Sequence, residues 1–228
     1  MIKGVIIFTD ISGSSKLWNK YKNKFYKKLQ KLNNIIETKI KKYNGMVVKL
    51  IGDSHMIFFD DKNILNSLNF VFELQKYLYE KNFNINGEKI QIRIGYSYGE
   101  MNKIIQKVQK CNLIDFYGNT VNVASRLESL ISTKGGIAIK NAYINKYLHK
   151  LNPDIKEFIK NKYVIEFIDY DIPSRKKMSK RNNTNNKNTK SIAIKKTSKY
   201  LSIEGQLKKH KGVVLDDIYS FKLKDLKA

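Results

Sequence analysis

Two aspartates stand where strand patterns give way to turns. Asp10 follows the apolar run at residues 5–8 and precedes Ile11-Ser12-Gly13-Ser14-Ser15, after which a helical pattern begins. Small residues between a strand and a helix start leave backbone N–H groups and a helix dipole suited to phosphate. Taken alone, Asp10 reads more simply as an acid beside a helix N-terminus, with Gly13 making the turn. Asp53 lies in Gly52-Asp53-Ser54, a short hairpin turn where an aspartate is ordinary turn chemistry. The pair carries more than either residue. If the first strand and this hairpin are neighbours in one sheet, both carboxylates reach one edge and would bridge two Mg²⁺ ions. Such ions clamp the attacking and leaving oxygens of a phosphoryl transfer.

Three further residues carry charge or hydrogen-bonding capacity in notable places. Lys49 interrupts the apolar strand pattern Met46-Val47-Val48 and Leu50-Ile51. Burying it without a partner is costly, so it either points to solvent or faces a pocket and bonds a ligand. Asn122 and Arg126 are four apart and share a helix face, opposite Val123, Ala124, Leu127, Leu130 and Ile131. Arg126 is one of only four arginines beside forty lysines. It reads either as surface arginine or as a guanidinium held for developing phosphorane charge.

The elements that must position these residues follow from periodicity. Residues 5–8 form a β-branched and aromatic run consistent with a strand buried on both faces. Trp18, Tyr21, Phe25, Leu29, Leu32, Ile36 and Ile40 step by three and four, predicting one long helix that ends at Asn44-Gly45. Residues 46–51 and 55–59 read as the two arms of a hairpin. Residues 62–81 are helical, 89–98 a strand ending at Gly99-Glu100, and 101–117 contain a second hairpin arm through Ile104, Ile105 and Val108. A helix at 119–132, a strand at 136–139, a short helix at 142–151 and a last strand region at 213–223 complete the pattern. The order predicts an α+β sheet with helices on one face.

With 228 residues, 42% hydrophobic and 11% aromatic, the chain has material for a sizeable core and is not intrinsically disordered. Forty-four basic residues against twenty acidic give a net charge of +24. The lysine skew, with abundant Asn and Ile, has the stamp of codon bias rather than of selection for phosphate forks, where arginine is preferred. Residues 174–199 hold ten Lys or Arg and no acid, around an Asn/Thr-rich middle, and read as a disordered loop. That stretch has no aromatic before Tyr200 and no binding motif, so no nucleic-acid partner is expected. One cysteine, Cys111, excludes an internal disulfide, and the three scattered histidines show no metal-ligand spacing. No apolar run approaches the roughly 20 residues that cross a bilayer, and no secretory signal is evident. A soluble cytoplasmic protein is expected.

Together, FTDISGSSKL at 8–17, NGMVVKLIGDSHMIFF at 44–59, IRIGYSYGE at 92–100 and DFYGNTVNVASRLES at 115–129 resemble, in order, four motifs of the class III nucleotidyl cyclase catalytic domain. The resemblance covers residues 1–151. It implies a ferredoxin-like, palm-type α+β fold with a mostly antiparallel sheet, working as a head-to-tail dimer. It also implies roles residue by residue. Asp10 and Asp53 fall on the two metal-binding aspartates, for two Mg²⁺ or Mn²⁺ ions, with the Ile11 carbonyl as a backbone ligand. The backbone of Ile11, Ser12, Gly13, Ser14 and Ser15 would hold the β- and γ-phosphates. Lys49 and Asp115 fall on the base-reading positions, where Lys donates to N1 of adenine and Asp accepts from its exocyclic amine. Guanylate cyclases of the family carry Glu and Cys there. Asn122 would orient the ribose, Arg126 would stabilise the pentavalent transition state, and Lys211 is the counterpart of a late lysine on the triphosphate.

The implied activity is conversion of ATP to 3′,5′-cyclic AMP and pyrophosphate, at two composite sites of a homodimer. The same fold making another cyclic nucleotide, or binding nucleotide without turnover, are the rival readings. The resemblance divides the chain into a catalytic core at 1–173, a basic insertion at 174–199 and a C-terminal strand region at 200–228 that completes the domain. The insertion also offers charge for peripheral contact with an anionic membrane.

Overall fold

A computed structural model describes residues 1–108, 111–130, 135–140, 145–168 and 218–224. The chain opens with β1 (Ile2–Ile11), α1 (Ser14–Tyr21) and α2 (Asn23–Lys42), then the hairpin β2 (Met46–Ile51) and β3 (Ser54–Asp60). α3 (Ile64–Glu80) and a small hairpin, β4 (Asn84–Ile85) and β5 (Glu88–Lys89), lead to the long strand β6 (Ile92–Val108) and its partner β7 (Cys111–Tyr117). α4 (Asn119–Leu130), β8 (Ile137–Lys140), α5 (Asn145–Leu148), α6 (Pro153–Lys162), β9 (Tyr163–Ile168) and β10 (Ile218–Leu223) follow.

The main sheet runs β2-β3-β1-β6-β8-β10-β9, with β7 on the far half of β6. Every pair is antiparallel except β6–β8. The unit β1-α-β2-β3-α-β6, with strands in the order β2-β3-β1-β6, is the ferredoxin-like arrangement. β1 pairs with β3 on one side (Thr9 opposite His55) and β6 on the other (Asp10 opposite Arg93).

Strand alternation sorts the side chains onto two faces. Val5, Ile7 and Ile11 join Ile92, Ile94 and Tyr96 in the larger core, with the buried residues of α2, α3 and α6. Ile6, Met56, Met101 and Phe116 form a second cluster with Ala124 of α4. The expectation of helices on one face is therefore corrected: α4 covers the face opposite α2 and α3. The reason lies in β1, whose apolar run at residues 5–8 has both parities and needs cover on both sides.

Two other differences have local causes. The single helix expected from residue 18 to 40 is broken at Lys22, whose φ is 42°. Trp18 and Phe25 lie seven residues apart and still meet edge to face at 5.0 Å, so the apolar phase passes through the break unaltered. β6 does not end at Gly99-Glu100 but continues to Val108, paired with β7. Residues 102–107 are exposed, so the two-residue alternation that marks a half-buried strand is absent there.

α4 approaches the sheet closely because position 95 has no side chain. A Cβ on Gly95 would stand 2.1 Å from the Ala124 carbonyl oxygen and 2.3 Å from the Glu128 nitrogen. Both are backbone atoms of α4, so relief requires moving the helix. Gly95→Ala is expected to destabilise the protein by about 1–3 kcal/mol, the usual range for overpacking. The check is a lower urea midpoint at unchanged slope.

Candidate active site

Asp10 lies at the C-terminal end of β1 on the α4 face, and Asp53 in the two-residue turn between β2 and β3. Gly52, at φ 65°, takes the left-handed first position of that turn, which a side chain would strain. The β1–β3 pairing then brings the turn to the end of β1. The Ile11 N–H donates to Asp53 Oδ2 at 3.3 Å, and Ser54 Oγ donates to Asp10 Oδ1 at 2.8 Å. The two aspartates thus converge at one sheet edge, because the first strand and the hairpin are sheet neighbours.

The site holds two more charged groups. Arg93, directly across from Asp10, donates through Nη2 to Asp10 Oδ2, and the same Nη2 lies 3.1 Å from Glu128 Oε1 of α4. Neither residue stands out in the sequence as a site residue. Arg93 carries the same signal as Arg126, an arginine among lysines, and sits in a quoted motif. Glu128 sits in another. Three carboxylates against one guanidinium leave two negative charges in a half-buried space. Burial and the neighbouring Asp10 charge push the Asp53 carboxyl above its ordinary value, against hydrogen bonds from Ser14 and backbone amides. Burial likewise pushes Glu128 up, with Arg93 opposing and Asp10 and Asp53 adding to the rise.

Beside this pair, Ile11 is buried and Ser12 Oγ is buried with no hydrogen-bond partner among the described residues. α1 begins at Gly13 with no side-chain cap and no acid in its first turn, leaving its positive end toward the loop 11–15. The donor set suits a hard divalent ion. Among the described residues no group of three or more His, Cys, Asp or Glu is placed to hold a metal ion by itself. Asp10 and Asp53 would hold the ion by few carboxylates, with substrate oxygens and water completing the shell, the habit of Mg²⁺. His55 is adjacent in sequence but on the opposite face, near Thr9 Oγ1 at 3.3 Å, where burial pushes it down to about 4 and keeps it neutral.

The other sequence-derived residues lie apart from this edge. Lys49 donates to Asp115 Oδ2 at 2.6 Å, joining β2 to β7. Burial would raise the Asp115 carboxyl, but Lys49 and the Phe116 amide hold it below its ordinary value. Asn122 and Arg126 are exposed on the outer side of α4. No hydrogen bond or ion pair among the described residues links these four to Asp10 or Asp53. Around the Lys49–Asp115 pair the surface is apolar: Leu50, Ile51, Ile104, Ile105, Leu113 and Tyr117 are all exposed. Lys211 and residues 174–199 lie outside the described residues.

The match to the adenylate and guanylate cyclase catalytic domain spans residues 3–166, and the chain belongs to that family. An adenylate cyclase of Neurospora crassa is 25% identical over 172 residues, covering 68% of this chain and 7% of the relative. The chain thus spans a small fraction of the curated relatives it matches. Among solved structures, the adenylyl cyclase CyaB of P. aeruginosa aligns with a TM-score of 0.58 at 20% identity, over 96% of this chain and 93% of that one. The guanylate cyclase domain of RhGC from Catenaria anguillulae, solved with GTP, aligns with a TM-score of 0.59 at 20% identity, over 98% and 97%. The fold is that of the class III cyclases. No helix among the described residues is long and apolar enough to cross a membrane.

The electrostatics of Asp53 carry a testable consequence. Its folded pKa lies above the unfolded value, so the ionised form disfavours the folded state; the penalty is absent at low pH and grows as pH rises through the carboxylate range. Asp53→Asn keeps an acceptor for the Ile11 amide and removes the charge. With chelator present, it should melt above the parent at pH 7.5, the advantage fading below about pH 4.

Proposed function

We propose that the protein is an adenylate cyclase, converting ATP to 3′,5′-cyclic AMP and pyrophosphate at composite sites of a homodimer. The observation that carries the reading is the convergence of Asp10 and Asp53 beside the uncapped start of α1. Two divalent ions there, Mg²⁺ or Mn²⁺, would supply charge neutralisation of the triphosphate and acidify the ribose 3′-hydroxyl. The loop 11–15 and the start of α1 hold the β- and γ-phosphates with backbone N–H groups, and Ser12 Oγ has hydrogen-bonding capacity to spare. The 3′-oxygen attacks the α-phosphorus in line as the bond to pyrophosphate breaks, and the 3′-hydroxyl proton is lost to Asp10 or to solvent. Asn122 orients the ribose, and Arg126 bears on the charge that develops at phosphorus. Lys211 is proposed as a further contact to the triphosphate.

The homodimer is supported by what one chain keeps apart. Among the described residues no hydrogen bond or ion pair joins Lys49, Asp115, Asn122 or Arg126 to Asp10 or Asp53, and the exposed apolar residues beside Lys49–Asp115 form a surface that a second copy would bury. Head-to-tail pairing would bring one protomer's aspartates to the other's base-reading pair. The adenine reading rests on Lys49 and Asp115. Each neutralises the other at 2.6 Å, a donor and an acceptor spaced for a base edge that needs both. Guanylate cyclisation is the second reading, favoured by the structural neighbour solved with GTP.

Incubation with ATP, GTP, CTP or UTP and Mg²⁺ or Mn²⁺, followed by chromatography, is expected to yield cyclic AMP from ATP, lost in Asp10→Ala and Asp53→Ala. A different cyclic nucleotide would overturn the base assignment. No product from dimeric protein would favour a binding module instead. Mixing inactive Asp53→Ala with inactive Arg126→Ala should restore about a quarter of the parental activity, because half the dimers gain one intact site of two. No recovery despite subunit exchange would rule out composite sites. Lys49→Glu with Asp115→Cys is expected to weaken ATP use, and unchanged ATP preference would sink their role in reading the base.

A further inference from the structure

Arg93 and Glu128 are charged groups of the site that the proposed reaction does not use. Arg93 stands opposite Asp10 by strand register and contacts both Asp10 and Glu128 through one nitrogen. Asp10 Oδ2, the atom that Arg93 occupies, belongs to a carboxylate that a divalent ion would also need. A guanidinium and a divalent ion on the same oxygen repel, and that repulsion is strong where water is partly excluded. The second partner is set rigidly. Glu128 belongs to the stretch of α4 that lies against Gly95, its nitrogen 2.3 Å from where a Cβ would be. Among the ion pairs of the described residues its carboxylate has no other basic partner.

We propose that Arg93 is a resident cation of the metal site, satisfying Asp10 while the site is empty, and that Glu128 is the positioning residue that retains Arg93 when a divalent ion takes Asp10. The inference rests on the metal-site reading of Asp10 and Asp53. In the empty site, Arg93 lowers the cost of holding Asp10 and Asp53 together. On loading, Arg93 gives up Asp10 and keeps Glu128, so the guanidinium stays within the site. Glu128 thereby tunes cation affinity through Arg93 rather than by touching the ion.

The test is Mn²⁺ binding to nucleotide-free full-length protein, followed by electron paramagnetic resonance of the free ion. Arg93→Ala is expected to bind Mn²⁺ about three- to tenfold more tightly than the parent, since a competing positive charge is removed. Arg93→Gln, which keeps most of the bulk, serves where the alanine variant folds poorly and should shift the same way. Glu128→Gln should weaken binding, by leaving Arg93 to Asp10 alone, and that effect should disappear in the Arg93→Gln background. Unchanged or weaker Mn²⁺ binding in both Arg93 variants would overturn the resident-cation role. An equal loss from Glu128→Gln with and without Arg93 would show a simple charge effect and overturn the positioning role. Mn²⁺ binding unaffected by Asp10→Asn and Asp53→Asn would overturn the metal-site reading itself, and this inference with it.

Discussion

Two carboxylates held at one sheet edge repel each other, and much of the surrounding structure is arranged around that cost. Asp10 and Asp53 come from different segments of the sequence and are brought together by the antiparallel pairing of β1 with β3. On its other side β1 takes Arg93 directly opposite Asp10, so one strand obtains a second carboxylate from one neighbour and a cation from the other. A register slip of one residue would turn Asp10 to the α2–α3 face and break both contacts. The register of β1 between β3 and β6 therefore also sets the geometry of the site.

The second organising feature is separation. Lys49 and Asp115 neutralise each other at the far side of β2, and Asn122 and Arg126 face outward from α4. In the proposed head-to-tail association the carboxylate edge of one copy would meet the cationic, hydrogen-bonding edge of the other. The exposed apolar side chains of β2, β6 and β7 lie beside the Lys49–Asp115 edge, where burial against a second copy would contribute most of the association energy.

Much of this was legible in the sequence because its signals are local. The apolar run before Asp10, the Gly52-Asp53 turn and the four-residue step from Asn122 to Arg126 each place a residue within its own element. The convergence of Asp10 and Asp53 needed only the neighbourhood of β1 and the hairpin. What escaped depends on partners distant in the chain. Arg93 becomes part of the site by standing opposite Asp10, and Glu128 by the lean of α4 onto Gly95, and neither relation has a periodicity. α6 is a different case: Pro153 at the first helical position with Ile155, Phe158 and Ile159 at helical spacing is a readable local pattern, though it lies outside the four motifs. The break at Lys22 left no trace, because the apolar stripe keeps its phase through it.

α4 joins these features into one mechanical argument. Its inner side reaches Arg93 through Glu128 and packs Ala124 on the sheet, while its outer side presents Asn122 and Arg126. In the proposed head-to-tail dimer the inner side would bear on the protomer's own aspartate pair and the outer side on its partner's. The height of the helix above β6 is set by backbone contact at Gly95, a contact that does not compress. Any shift of α4 moves Glu128 relative to Arg93 and Arg126 relative to the neighbouring site together. The two residue sets within one chain are thus joined by a single helix, and its seating on Gly95 constrains both.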